Sequence, residues 1–273
     1  MRSDGSPAIP RLMGVLNLTP DSFSDGGRFL DPAAALAQAR RLIAQGADIL
    51  DIGGESTRPG AERVPAEDEI DRVVPVIAAL AAETSIPISV DTLKPQVARA
   101  AVAAGATIWN DVSALTAPGA PELAAELGCG VVLMHMQGEP RTMQAAPRYG
   151  DVVAEVTAWL AARAETALAA GVRRERIWLD PGIGFGKTLA HNLALLAHLD
   201  PLVALGFPVL LGVSRKSFLK AIDPAAALAQ DRLAGSLAAA LAGAQAGVGA
   251  IRVHDVAETR QALLTWAAIR GAR

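Results

Sequence analysis

Histidine, cysteine and tyrosine are scarce in this chain, with four, one and one among 273 residues. The single thiol, Cys129, rules out a disulfide framework. It is flanked by glycines ahead of an apolar run, which reads as a buried, reduced thiol. No Cys cluster or His-x-x-x-His pair is present, so nothing suggests zinc. Aromatics are 4% of the chain against 51% apolar residues, so a large core must be built mainly from Ala, Val, Leu and Ile. The net charge is −3 with no long basic run, which argues against a nucleic-acid partner. The N-terminus, MRSDGSPAIPRLMG, lacks the apolar core of a signal peptide. Residues 234–251 carry no charge and nearly reach membrane-span length, but they are mostly Ala and Gly with Ser236 and Gln245. They read as a small-residue helix packed closely on a sheet, followed by a turn. A soluble, cytoplasmic protein with no membrane partner is expected.

What is present is an alternation. Apolar strand-like runs cover residues 12–16, 49–52, 86–90, 107–109, 131–136, 177–179, 208–213 and 250–253. Helical patterns fit 32–45, 95–104, 121–127, 193–205, 228–246 and 256–270. Ile70, Val73, Val74, Ile77 and Leu80 also recur at helical spacing, with Pro75 inside that segment as a kink. Val153, Val156, Leu160, Ala164 and Ala167 repeat at intervals of three and four, and Gly171 caps their end. Eight strands alternating with eight helices imply parallel pairing with right-handed crossovers. The length suits an α/β fold of the (β/α)8 TIM-barrel type, for which about 250 residues is usual. An open doubly wound sheet is the alternative. No linker is evident, so residues 1–273 read as a single domain with a short N-terminal extension.

A barrel collects its functional side chains at the C-terminal ends of its strands, and the polar residues fall there. They are Asn17 after strand 1, Asp51 after strand 2, Asp91 after strand 3, and Asn110 and Asp111 after strand 4. Asp180 follows strand 6, Lys216 lies beyond strand 7, and Arg252 and His254 end strand 8. After Asp180, the run Pro181-Gly182-Ile183-Gly184-Phe185-Gly186 forbids continued strand or helix and lets a ligand approach the backbone. Gly186-Lys187-Thr188 imitates the end of a phosphate-binding P-loop, but Pro181 stands where that motif needs its first glycine. In the second loop Arg58 offers a planar fork suited to phosphate, although Glu55, Thr57 and Arg58 would also suit a surface turn. Ser217 would open a helix whose free N–H groups suit a carboxylate or phosphate. Arg252 and His254 are two apart and share a strand face, and the last two strands of barrels commonly build a phosphate site. With Arg58 they read as a phosphate or pyrophosphate pocket. His135 alternates with Met134 and Met136, so if the methionines face the lumen it faces the helices. His191 and His198 are expected on the outer face of a helix.

Taken together, MGVLNLTPDSFSDGG, DIGGESTRPG, SVDT, WNDVS, LMHMQGEPRTMQ, LDPGIGFGK, LGVSRKS and IRVHDV resemble the dihydropteroate synthase family, in order from Leu12 to Val256. The resemblance implies a (β/α)8 barrel that condenses 6-hydroxymethyl-7,8-dihydropterin pyrophosphate with para-aminobenzoate, a Mg2+ cofactor, a homodimer and a sulfonamide target. By matching positions it implies that Asp91, Asn110, Asp180 and Lys216 hold the pterin. Met134, Phe185 and Gly212 would add contact surface, and Arg215 would cover a ring face. Thr57, Arg58, Arg252 and His254 would bind pyrophosphate. Phe23, Pro59 and Ser217 would shape the aminobenzoate pocket, and Asn17 would help hold the metal. Lys216, Arg252 and His254 would be the catalytic set. One rival is a pterin-dependent methyltransferase acting on a corrinoid, which should lack the RPG and SRKS segments. Another is a pterin-binding paralogue without turnover, which should have lost Lys216, Arg252 or the first loop.

Overall fold

The computed structural model describes residues 9–19, 31–56, 63–139 and 141–272. Eight strands form one sheet: β1 (Arg11–Asn17), β2 (Ile49–Gly53), β3 (Ile88–Asp91), β4 (Ile108–Asp111), β5 (Gly130–Met134), β6 (Ile177–Asp180), β7 (Leu210–Gly212) and β8 (Ala250–Val253). Their order is β6-β5-β4-β3-β2-β1-β8-β7, and every pairing is parallel. A parallel bridge from Leu179 to Val209 joins the two ends, so the sheet curls into a nearly closed barrel. The open-sheet alternative is thereby set aside.

Between the strands run α1 (Pro32–Ala44), α2 (Ala66–Glu83), α3 (Pro95–Ala103), α4 (Ala120–Leu127), α5 (Val152–Ala169), α6 (Leu189–Ala197), α7 (Asp200–Val203), α8 (Ser217–Ile222), α9 (Leu233–Ala246) and α10 (Val256–Gly271). Side chains start several of them. Asp31 accepts from the Ala33 amide to begin α1, and Asp151 accepts from Val153 and Ala154 to begin α5. Pro75 lies inside α2 without ending it. Two expected helices are divided. The 193–205 pattern resolves into α6 and α7, because Thr188 caps α6 early and Pro201 belongs in the first turn of a separate α7. The 228–246 pattern begins as a 3₁₀ turn, Ala229–Arg232, before α9. α9 packs against the sheet as its composition suggests: a Cβ on Gly243 would lie 2.4 Å from Leu211 Cδ2. No helix among the described residues is long and apolar enough to cross a membrane.

Two apolar layers follow from strand alternation. The larger lies between sheet and helices and includes Leu50, Ile52, Val90, Trp109, Val131, Leu133, Ile177, Leu179, Leu211 and Ile251. The smaller fills the lumen with Met13, Ile49, Ile108, Val132, Leu210 and Ala250, against Trp178. The residues two positions further along the same strands share the lumen face. On β2, β4, β5, β6, β7 and β8 these are Asp51, Asn110, Met134, Asp180, Gly212 and Arg252. The lumen therefore changes from apolar to ionic within one layer as the chain approaches the C-terminal rim.

Candidate active site

At this rim the side chains are tied together. The Arg252 guanidinium donates from Nε to Asp51 Oδ2 at 2.6 Å and from Nη2 to Asp91 Oδ2 at 2.8 Å. Asn110 Nδ2 donates to Asp51 Oδ2 at 3.2 Å. Asp91 is buried and its Oδ1 has no partner among the described residues. Burial pushes the Asp91 carboxyl up to about 7; Arg252 opposes this, while Asp51 and Glu69 add to it. Burial works against the charged form of Arg252, but Asp51 and Asp91 outweigh it and hold the guanidinium firmly protonated.

Asp180 ends β6 on the same face. Its Oδ1 accepts from the Gly182 amide at 2.7 Å, and burial raises its pKa against that bond and against Lys216 and Arg252. Lys216 lies over the Phe185 ring, with Nζ 4.2 Å from the centroid. Burial pulls the Lys216 ammonium down to about 8, against the nearby Asp180. Gly212 adjoins the same acid: a Cβ there would sit 3.9 Å from Asp180 Oδ2. Met134 is buried at the end of β5. His254, two residues past Arg252, receives a bond at Nδ1 from Ser214 Oγ or gives one to it, at 3.0 Å. Burial, then Arg252 and Arg215, lower its pKa to about 3, so the imidazole is neutral.

The glycine-rich loop after β6 is shaped by a residue the sequence reading left without a role. Lys187 is buried, and its Nζ reaches Phe185 O at 2.9 Å, His135 Nδ1 at 3.0 Å and His135 O at 3.3 Å. Burial lowers its pKa to about 7. This ammonium joins the chain after β5 to the loop after β6, while Tyr149 Oη donates to Gly186 O and Asn192 Oδ1 accepts from Gly184 N. No sequence pattern marks Lys187 as buried. His135 faces the helices, edge-on to Trp159 of α5 with ring centroids 5.0 Å apart. The loop also requires Gly182, which adopts φ +65°, where a Cβ would lie 1.9 Å from His135 O. Gly182→Ala is therefore expected to lower the melting temperature by at least about 5 °C, combining backbone strain with a clash that only a loop shift relieves. A melting temperature within a degree or so of wild type would show that the loop has another low-energy form.

Arg215 is held at φ +58°. Its N–H donates to Ser236 Oγ at 2.8 Å, its carbonyl accepts from Arg232, and its guanidinium grips both oxygens of Asp255 ahead of α10. The side chain is thus committed to an ion pair. Ser217 is the exposed first residue of α8. Asn17 ends β1 on the lumen parity of Met13. Phe23, Thr57, Arg58 and Pro59 lie outside the described residues.

Just before the second of those segments is a buried ion triad. Lys94 Nζ meets Glu55 Oε2 and Glu69 Oε2, each at 2.6 Å, and Glu55 Oε1 accepts from the Val64 amide. Glu55 therefore draws residues 55 and 64 together. A signal for this existed: Glu69 occupies the buried stripe of α2 with Val73, Val76, Ile77 and Leu80, where a carboxylate needs a partner. Asp51 could also have been assigned from its parity with Asn110 and Arg252.

Comparisons with known proteins identify the family. The family model described as "Pterin binding enzyme" matches residues 13–254. A dihydropteroate synthase of Neisseria meningitidis serogroup B is 52% identical over 266 residues, covering 95% of this chain and 93% of the relative. The Xanthomonas albilineans dihydropteroate synthase with 4-aminobenzoic acid superposes with a TM-score of 0.90 at 54% identity, over 96% of this chain and 93% of that one. The same organism's enzyme in complex with 7,8-dihydropteroate gives 0.86 at 50% identity, over 96% and 94%. A match extending from the first strand to the end of the last, on a barrel whose rim carries the acids and bases just described, means that this chain belongs to the pterin-binding enzymes.

Proposed function

We propose that the chain catalyses the dihydropteroate synthase reaction, joining 6-hydroxymethyl-7,8-dihydropterin pyrophosphate to para-aminobenzoate with release of pyrophosphate. The observation that carries this reading is the barrel rim itself. Buried acids and an amide lie on the lumen face beside Lys216, with Arg252 and His254 next to them. A flat heterocycle with a guanidine-like edge and an anionic tail matches that order of groups.

Asp180 accepts from the pterin edge. Its Oδ1 already takes the Gly182 N–H, which fixes the carboxylate plane and leaves Oδ2 for the ligand. Asn110 gives Nδ2 to Asp51, so its Oδ1 remains as an acceptor. Asp91 offers the unpaired Oδ1, and Lys216 donates to a ring carbonyl or nitrogen. Met134, Phe185 and Gly212 bound the ring. Arg252 uses Nε and one Nη2 proton on Asp51 and Asp91, which leaves Nη1 for a phosphate oxygen. Pyrophosphate departs first, because the electron-rich dihydropterin spreads the developing methylene cation. Arg252, His254, Thr57 and Arg58 bind the leaving charge, which is electrostatic catalysis. The aromatic amine is weakly basic and attacks without a dedicated base. Phe23, Pro59 and Ser217 line its pocket.

Among the described residues no group of three His, Cys, Asp or Glu could hold a metal by itself. Mg2+ keeps several waters and takes few protein oxygens when a substrate phosphate supplies the rest, and Asn17, which ends β1 on the lumen parity, would offer Oδ1 to it. Bound Mg2+ would neutralise charge building on the diphosphate. We further assign the whole chain to one domain acting as a homodimer in the cytoplasm.

The reading is tested by mixing the protein with the dihydropterin pyrophosphate, aminobenzoate and Mg2+ and following pyrophosphate release. Lys216→Ala should lose more than about tenfold in kcat/KM, equivalent to more than about 1.4 kcal/mol of transition-state stabilisation. Turnover equal to wild type would remove Lys216 from the site. Methyl transfer to a corrinoid without pyrophosphate release would favour a different enzyme on the same barrel.

A further inference from the structure

We propose that Ser214 sets the tautomer of His254, keeping Nδ1 as an acceptor so that Nε2 carries the ring proton and serves as a neutral donor. The proposal rests on the reading of His254 as a ligand of the diphosphate, and it makes Ser214 a positioning residue.

The argument is a count of protons and lone pairs. Ser214 is buried in the turn after β7, with 6% of its surface exposed. Its Oγ accepts from the His254 backbone N–H at 3.1 Å and lies 3.0 Å from His254 Nδ1. A hydroxyl has one proton and two lone pairs. With one lone pair taken by the amide, two arrangements remain. If Nδ1 carries the proton, it fills the second lone pair, and the buried hydroxyl proton has no acceptor among the described residues. If Nδ1 is bare, the hydroxyl proton goes to it and every group is satisfied. Leaving a buried donor unpaired is costly, so the second arrangement is selected.

The surroundings keep the ring neutral. Arg252, Arg215 and Lys216 face His254 and oppose its protonation, while Asp255 favours it. A phosphate oxygen only accepts, so the Nε2–H tautomer bonds to it and the Nδ1–H tautomer does not. A serine on one loop thereby decides whether a histidine on another can grip the leaving group.

The ring 15N spectrum of the full chain at neutral pH tests this without substrate. The chain has four histidines, and His254→Gln identifies the signal. The expected result is a proton on Nε2 in the wild type and a mixture of tautomers in Ser214→Ala. In the pyrophosphate-release assay Ser214→Ala should lose about tenfold in kcat/KM for the dihydropterin substrate, with KM for aminobenzoate unchanged. Ser214→Thr, which keeps a hydroxyl, should recover both the spectrum and the rate. A purely structural role would lower the melting temperature without moving the tautomer. A wild-type proton on Nδ1, or a Ser214→Ala ring still wholly Nε2–H with kinetics within about twofold of wild type, overturns the proposal. Should Ser214→Ala fail to fold, the wild-type and Ser214→Thr spectra decide. A wild type that releases no pyrophosphate refutes the assigned reaction, and the spectrum still judges the tautomer.

Discussion

Arg252→Ala is expected to reduce kcat/KM for the dihydropterin pyrophosphate by about a hundredfold to a thousandfold, as removal of one partner from a buried charge pair implies. The guanidinium does two things at once. It spans Asp51 and Asp91, which are both buried, and in the proposed reaction its remaining donors go to the departing diphosphate. Truncation removes the donors and leaves two acids without their cation. Such a loss typically costs about 3–5 kcal/mol of stability unless the acids take up protons. Burial already raises the Asp91 carboxyl, and the variant loses the cation that opposes this rise, so its folded pKa lies further above the unfolded value. The folded chain then binds more protons than the unfolded one, and stability falls as pH rises. The variant should therefore be closer to wild type near pH 5 than near pH 8 in a denaturant titration. Arg252→Lys keeps one charge but not the planar fork, so it should recover little of the rate. A pH-independent stability loss in Arg252→Ala would mean that Asp91 is not a group it neutralises.

Asp180→Asn should leave the fold intact and lower affinity for a pterin by about a hundredfold or more, equivalent to about 2.7 kcal/mol or more. The substitution is nearly isosteric, and its amide oxygen can still accept from Gly182. The other position becomes an NH2 group. It would then face a pterin edge that itself donates, so an attraction turns into two opposed donors in a buried site. The loss should fall on the pterin substrate, and the aminobenzoate KM should change little. Calorimetric titration with a pterin, alongside a melting curve, separates lost recognition from lost structure. Unchanged pterin affinity would place the heterocycle elsewhere.

Much of this site was legible because barrel geometry converts sequence position into space. Asp91, Asn110, Asp180 and Arg252 end short apolar runs, and the two-residue repeat of a strand puts each on the lumen side above Ile108, Val132 and their neighbours. His135 could be assigned to the helix side by the same parity, and Trp159 meets it there. Two expected helices are each divided in two. A 3.6-residue apolar period can continue across a short break in the backbone, and the divisions fall at His198–Leu199 and at Arg232.

By itself the sequence determined the alternation of strand and helix, the parallel pairing that follows from it, and the end of the strands at which chemistry gathers. These depend on local periodicity and on strand parity, which neighbouring residues carry. Only the tertiary structure decided who pairs with whom: Arg252 across to Asp51 and Asp91, Lys94 to Glu55 and Glu69, Arg215 to Asp255, and Lys187 inward to His135. Those bonds join residues that are as much as 201 positions apart. Burial shifts the protonation of Asp91, Glu69, Lys187 and His135, and burial exists only after the whole chain has closed around them.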